Sequence, residues 1–203
     1  MDYPIKFSVD YPGGKRNRLT CFFRLFVAIP IMIVLGTIGT SYSWGSSGAQ
    51  SAAAGMTILF VPTLLMILFR QKYPRWWFDW NLAFSRFLAR IAAFLYLMRD
   101  EYPSTDEEQA VHLDFEYPDV KKDLNQWLPL VKWFLVIPHI IVLTFLGIAA
   151  GVVLFIAWFA ILFTGVFPKG MFDFVVAVSR WAYRVQAYAF LLITDKYPPF
   201  SLD

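Results

Sequence analysis

The sequence predicts an all-α integral membrane protein in which one unit, a transmembrane helical hairpin followed by an in-plane amphipathic helix, occurs twice. Two observations lead to this prediction: the composition and an internal repeat. Hydrophobic residues make up 58% of the 203 residues and charged residues 16%, and the mean hydropathy is +0.52. Globular proteins average about 45–50% apolar and about 25% charged residues. So much apolar sequence is typical of a chain surrounded by lipid.

The internal repeat relates residues 5–103 to residues 111–198 in the same order. Residues 5–12, IKFSVDYP, return as VHLDFEYP at 111–118, and the segment that ends at Pro30 returns as the segment that ends at Pro138. We therefore divide the chain into a first repeat (residues 1–103), an acidic linker (104–110) and a second repeat (111–203). A repeat of this length predicts a duplicated structural unit.

A short β-strand is predicted at the start of each repeat. Residues 5–11 and 111–117 alternate apolar and polar side chains, and this period of two is typical of a strand with one buried face. A two-stranded sheet is marginal in water on its own. We therefore expect the two strands to pair with each other beneath the amphipathic helices.

Four apolar runs are long enough to cross a bilayer, at residues 19–39, 52–69, 128–146 and 151–167. The last two are nearly continuous and would also allow one long helix. The first repeat, however, carries a polar, Gly/Ser-rich loop at residues 40–51, where the second has only Gly147 to Gly151. Such an insertion is tolerated at a hairpin tip and not within a helix in lipid. A tight turn is therefore expected at Gly147–Gly151, giving four transmembrane helices.

The basic residues predict the orientation of both hairpins. Lys and Arg flank the outer ends of the apolar runs, whereas neither hairpin tip contains one. By the positive-inside rule both hairpins enter from the cytoplasm. The expected location is the prokaryotic cytoplasmic (inner) membrane, multi-pass, with both termini cytoplasmic.

A third apolar segment follows each hairpin, at residues 76–98 and 172–193, and its charges argue against a crossing. These charges repeat at i, i+7 and i+11, which places them on one stripe of a helix: Asp79, Arg86 and Arg90, and then Asp173, Arg180 and Arg184. A charge at the bilayer centre costs at least about 2.5 kcal/mol. Helices lying in the interface avoid this cost, although a model with three spans per repeat in inverted orientation stays open.

Few residues suggest chemistry. The chain has two histidines and shows no nucleophile with a partnered base and no set of residues at metal-ligand spacing. We expect no catalytic, cofactor or metal site, no cofactor, no enzymatic activity and no nucleic-acid partner. Arg24 and Lys132, the charges inside the predicted spans, and the two charge stripes are candidates for contacting lipid headgroups at the interface.

Several segments look like a known family: FFRLF at residues 22–26, IPH at 137–139, FIAWFAILFTG at 155–165, FDF at 172–174 and DKYPPFSL at 195–202. With these the chain resembles the prokaryotic membrane family called domain of unknown function 4389, in two tandem copies. The resemblance covers most of the chain and is strongest in the second repeat. It implies the architecture above and no particular activity. The first repeat departs from it in its polar loop, at Pro62 and at residues 75–77, which suggests a separate task for the first half.

Three functions follow as expectations. The first is a non-enzymatic accessory or scaffold subunit of a larger membrane complex, with Tyr42, Trp44 and Gln50 of the polar loop contacting another membrane subunit. The second is a small transporter or channel with a path between the repeats. The third and weakest is a protein that binds anionic lipid on the cytoplasmic side through its arginines.

Overall fold

The computed structural model describes residues 3–14, 16–40, 60–105 and 107–203. The protein is mostly helical and contains one small sheet. In chain order the elements are β1 (Ile5–Val9), α1 (Arg18–Phe22), α2 (Arg24–Val27), α3 (Ile29–Thr40), α4 (Phe60–Arg70), α5 (Arg75–Leu95), β2 (Val111–Phe115), α6 (Val120–Asp123), α7 (Leu128–Thr164) and α8 (Lys169–Ala189).

The expected pairing of the two strands is confirmed. β1 and β2 are antiparallel, with Phe7 opposite Leu113 at the centre and Ile5 opposite Phe115 at one end. Both strands alternate buried and exposed residues from first to last. The buried face of each strand joins the main hydrophobic core, while Lys6 and Ser8 stay exposed. The sequence period of two therefore gave the correct faces.

Helices α5 and α8 pack against opposite strands of this sheet. α5 contacts β2 and α8 contacts β1, where the rings of Phe7 and Tyr183 lie 4.8 Å apart. Both helices are amphipathic, as expected, and each begins after a proline, Pro74 or Pro168. Each proline is the N-cap residue, where a backbone N–H has no partner inside the helix, so its missing N–H costs no helical hydrogen bond.

The ends of α5 and α8 are closed by residues in a left-handed conformation. Leu97 has a φ of 62° and Leu192 a φ of 55°. After α5, the Leu97 N–H donates to Phe94 O and the Met98 N–H to Ala93 O, at 3.2 and 2.9 Å. This pattern is a Schellman motif, which is usually closed by glycine. Both leucine side chains are buried, so their packing offsets the strain.

Helix α7 corrects the prediction of a hairpin in the second repeat. The helix continues without interruption from Leu128 to Thr164 and passes through Gly147 and Gly151, where we expected a turn. Its less exposed positions include a continuous stripe in which successive members are three or four residues apart: 132, 136, 139, 143, 146, 150, 153, 157 and 161. A turn would have broken that periodicity. The physical reason is that both glycines have apolar neighbours, Leu and Ile at Gly147 and Ala and Val at Gly151, and no polar residue ends the helix there.

The prediction of four membrane spans is therefore wrong for the described residues, in which α7 alone is long and apolar enough to cross a membrane. The first apolar run instead forms α1, α2 and α3 in series. Helical hydrogen bonds, such as Phe23 N to Leu19 O, continue across the interruptions between them. Of the second run, residues 60–70 form the short apolar helix α4, and residues 52–59 lie outside the described part.

Candidate functional site

The first candidate site surrounds Arg24, which is 3% exposed at the start of α2. Its guanidinium donates to the Asp100 carboxylate and to the carbonyls of Phe94 and Arg99, at 3.1 Å for Arg99. The guanidinium also lies 4.6 Å from the centre of the Phe94 ring. Arg16 contributes a second buried cation, 3.2 Å from Asp100. Asp100 thus neutralises two arginines where the chain leaves α5.

The second candidate site surrounds Lys132, whose side chain is fully buried in the first turns of α7. Its ammonium lies 2.7 Å from Asp195 Oδ1 and donates to Thr194 O, also at 2.7 Å. The ammonium is 4.8 Å from the centre of the Tyr188 ring. Asp195 in turn accepts a hydrogen bond from the Asn125 N–H at 2.5 Å.

The two sites have the same design. In each site, a cation near the start of an apolar helix binds a backbone carbonyl and a carboxylate from the segment that follows an amphipathic helix. The cation also lies over an aromatic ring of that amphipathic helix. Asn17 N also donates to Asp100, at 3.3 Å, as Asn125 N donates to Asp195. Buried charges need such pairing because an uncompensated one costs several kcal/mol. Each site therefore clamps an apolar helix to the chain that leaves an amphipathic helix.

The sequence reasoning selected both cations but missed both carboxylates. Asp100 and Asp195 occupy matching places, each two residues before a Tyr-Pro pair. That spacing was a usable signal. The sequence prediction placed both cations at lipid headgroups and included neither carboxylate. In the structure, each cation meets a carboxylate of the same chain.

His139 occupies a separate aromatic site on α7. Its Nδ1 accepts a hydrogen bond from Trp181 Nε1 at 3.1 Å, and its ring stacks on Phe200 at 3.9 Å. Because Nδ1 accepts, the neutral ring carries its proton on Nε2. Nε2 is buried with no hydrogen-bond partner among the described residues. The surrounding rings favour a packing role.

In the two charge stripes, the aspartates face solvent and the arginines contact backbone carbonyls. Asp79 and Asp173 are exposed. The Nε of Arg86 donates to Leu113 O at 2.8 Å, and the Nε of Arg180 donates to Phe7 O at 3.1 Å. One turn further along each helix, Arg90 donates to Ser104 O at 2.9 Å and Arg184 to Ser201 O at 3.4 Å. The four arginines thus contact backbone carbonyls of this chain, two of them on the strands.

Tyr42, Trp44 and Gln50 lie outside the described residues. Within the described part of the chain, no three His, Cys, Asp or Glu side chains are grouped closely enough to hold a metal ion.

Comparison with known proteins gives one family match. The model of the family described as domain of unknown function DUF4389 matches residues 129–201, in the second half of the chain. The resemblance noted from the sequence is thus confirmed for that half, in one copy. No curated protein and no solved structure matches the chain.

Proposed function

We propose that this protein is a non-enzymatic accessory or scaffold subunit of a larger protein complex in the prokaryotic cytoplasmic membrane. The observation that supports this proposal is the large apolar surface left uncovered on α1 to α3 and on α7. Soluble monomers rarely expose contiguous apolar patches above a few hundred Å². Six bulky side chains on these helices are each more than two-thirds exposed: Leu19, Leu25, Phe26, Phe134, Phe145 and Phe163.

Lipid and protein partners would share this surface. On α7, Phe134, Phe145 and Phe163 are 72%, 69% and 76% exposed, and leaving such groups in water costs about 1.5–3 kcal/mol each. We propose that acyl chains cover most of them. The partner would bind the first half, where the sequence departs from its family through Tyr42, Trp44 and Gln50.

We propose further that both chain ends face the cytoplasm. Tyr3 OH donates to Lys196 O at 3.1 Å, so residues 3 and 196 share one side. Helix α7 lies between β2 and α8 in the chain. β2 pairs with β1, and α8 contacts β1. A continuous helix with both ends on one side must bend back within the bilayer or lie along it. In either case α5 and α8 would lie at the cytoplasmic interface, close to anionic lipids.

Reciprocal contacts support the proposal that the two halves are tandem copies of one unit. Tyr11 OH donates to Phe167 O in the second half, and Tyr117 OH donates to Tyr73 O in the first, both at 2.6 Å. The rings of Tyr11 and Phe172 stand edge to face, as do those of Tyr117 and Phe78. Each half thereby stabilises the other through matching residues, as expected if two copies pair around an approximate twofold axis.

The test is recovery of the protein from its native membrane in mild detergent, followed by identification of the proteins that accompany it. We expect stoichiometric partners. A matched pair of variants assigns the surface: Trp44→Ala should reduce partner recovery severalfold, whereas Phe163→Ala on α7 should not. Recovery of the wild type as a lone monomer or homodimer would contradict the proposal.

A further inference from the structure

Two clefts of similar construction lie along the outer edges of the small sheet. The first, of about 290 Å³, is lined by β1 together with Arg180 and Arg184 of α8. The second, of about 420 Å³, is lined by β2 together with Arg86 and Arg90 of α5. In each cleft the two arginines are four residues apart, which places them one turn apart on the same helix face. The clefts thus present the same pair of cations beside the edge of a strand.

The second cleft neutralises its own charge. Arg86 donates its Nε to Leu113 O and places an Nη 3.0 Å from the carboxylate of Asp114, the next residue along the strand. Glu108 also lines this cleft. The two arginines are therefore balanced by two carboxylates.

The charges of the first cleft are not balanced in this way, because Ser8 occupies the strand position that Asp114 has in the second cleft. Arg180 makes the same backbone contact, to Phe7 O, but the next residue along the strand is Ser8. A further cation, Lys6, lies on the other side of Phe7 and is exposed. Among the described lining residues, Lys6, Arg180 and Arg184 face one carboxylate, that of Asp203.

The two arginines of the first cleft are close enough to affect each other. Burial and, to a smaller extent, the charge of Arg180 lower the pKa of Arg184, while the nearby Asp203 works in the opposite direction. Arg184 Nε is buried without a partner among the described residues. Adjacent guanidinium groups with an unbalanced charge attract an anion, and their planar donor forks suit the oxygens of a phosphate.

We propose that the cleft formed by Lys6, Ser8, Arg180 and Arg184 binds a phosphate group. The Nη atoms of Arg180 would donate to the phosphate oxygens, and the Ser8 hydroxyl would be a further donor. Arg184, whose Nη atoms donate to Ser201 O and Asp203 O, and Lys6 at the open side would supply positive charge. The phosphate is that of an anionic phospholipid headgroup or of a soluble phosphate compound, which present the same oxygens. This site is independent of the proposed accessory role, because its binding is measured on the isolated protein.

The experiment uses the full-length protein in neutral phosphatidylcholine nanodiscs. Inorganic phosphate is titrated by calorimetry, and retention of phosphatidic acid is measured separately by native mass spectrometry. Binding in both measurements indicates a site for any accessible phosphate, while binding of one probe alone identifies the lipid or the soluble source. If the wild type binds neither probe, the proposal is overturned.

The variants separate the cleft from general surface charge. Ser8→Asp introduces the carboxylate found in the second cleft, at an exposed position that tolerates substitution. It should weaken binding by about tenfold, which corresponds to the loss of one charge-assisted hydrogen bond. Arg180→Gln should do the same. Arg86→Gln is the matched control in the second cleft and should leave binding unchanged.

Thermal unfolding checks that each variant is folded, and Lys6→Gln, which alters only an exposed side chain, should weaken binding by a few fold. Equal losses for Arg180→Gln and Arg86→Gln, or no loss for Ser8→Asp, would refute the assignment to the first cleft.

Discussion

Replacement of Lys132 by methionine tests whether the clamp at Asp195 stabilises the fold. Methionine preserves most of the length and apolar packing of the side chain but removes the ammonium. Asp195, whose side chain is 17% exposed, then lacks its cation, and Thr194 O loses its donor. Breaking a buried ion pair costs about 3–5 kcal/mol, and we take the lower value because water reaches Asp195. For a chain of this size, about 3 kcal/mol lowers the melting temperature by about 6–12 °C.

The assay is thermal unfolding of the purified protein in detergent, followed by tryptophan fluorescence. The double variant Lys132→Met/Asp195→Asn removes both charges and should recover more than half of the loss, because no uncompensated charge remains. Lys196→Met is the matched control, since that lysine is exposed and its change should stay within about 0.5 kcal/mol. If Lys132→Met melts like the wild type, or if the double variant recovers nothing, the clamp does not stabilise the fold.

Three further predictions concern the other stabilising contacts. Asp100→Asn leaves Arg16 and Arg24 buried without a carboxylate and should destabilise the protein by about 3 kcal/mol or more, measured by the same thermal unfolding; a loss below 1 kcal/mol would contradict this. Phe7→Ala removes a buried ring from the centre of β1 and should cost about 3–5 kcal/mol, with Lys6→Ala as the neutral control. Burial raises the pKa of Tyr73, so near pH 10 the unfolded state loses a proton that the folded state keeps. The free energy of unfolding should therefore be at its full value below about pH 10 and fall above it. In unfolding measured as a function of pH, Tyr73→Phe should reduce that fall.

The strands and amphipathic helices were accessible from sequence because each buries one face and leaves the other polar. The alternation marked the correct buried residues within Ile5–Val9 and Val111–Phe115. It was wrong at Tyr11 and Tyr117, which lie beyond the strand ends and are 38% and 44% exposed. The charge stripes likewise identified α5 and α8 within a few residues of their observed bounds. Local periodicity is a reliable guide wherever an element has two chemically different faces.

Helix α7 could not be predicted in this way, because it is apolar on every side. Periodicity then carries no information, and our prediction of a turn rested on an insertion in the other half of the chain. The buried stripe of α7 is set by what packs against it, Trp181 and Tyr188 of α8 among others. The partners of Arg24 and Lys132 were missed for a related reason: Asp100 and Asp195 are more than 60 residues away from them in sequence.

The pairing of β1 with β2 also constrains how the chain can be synthesised. β1 ends at Val9 and its partner begins at Val111, so the N-terminal strand stays unpaired until about 100 more residues have been made. At about 5–20 residues per second this takes about 5–20 s, and the apolar helices α1 to α4 emerge during that interval. The first half must therefore wait with an open strand edge, which can pair wrongly with other chains. A ribosome-associated chaperone would protect this edge, and completion of residue 115 is the earliest point at which the two halves can join.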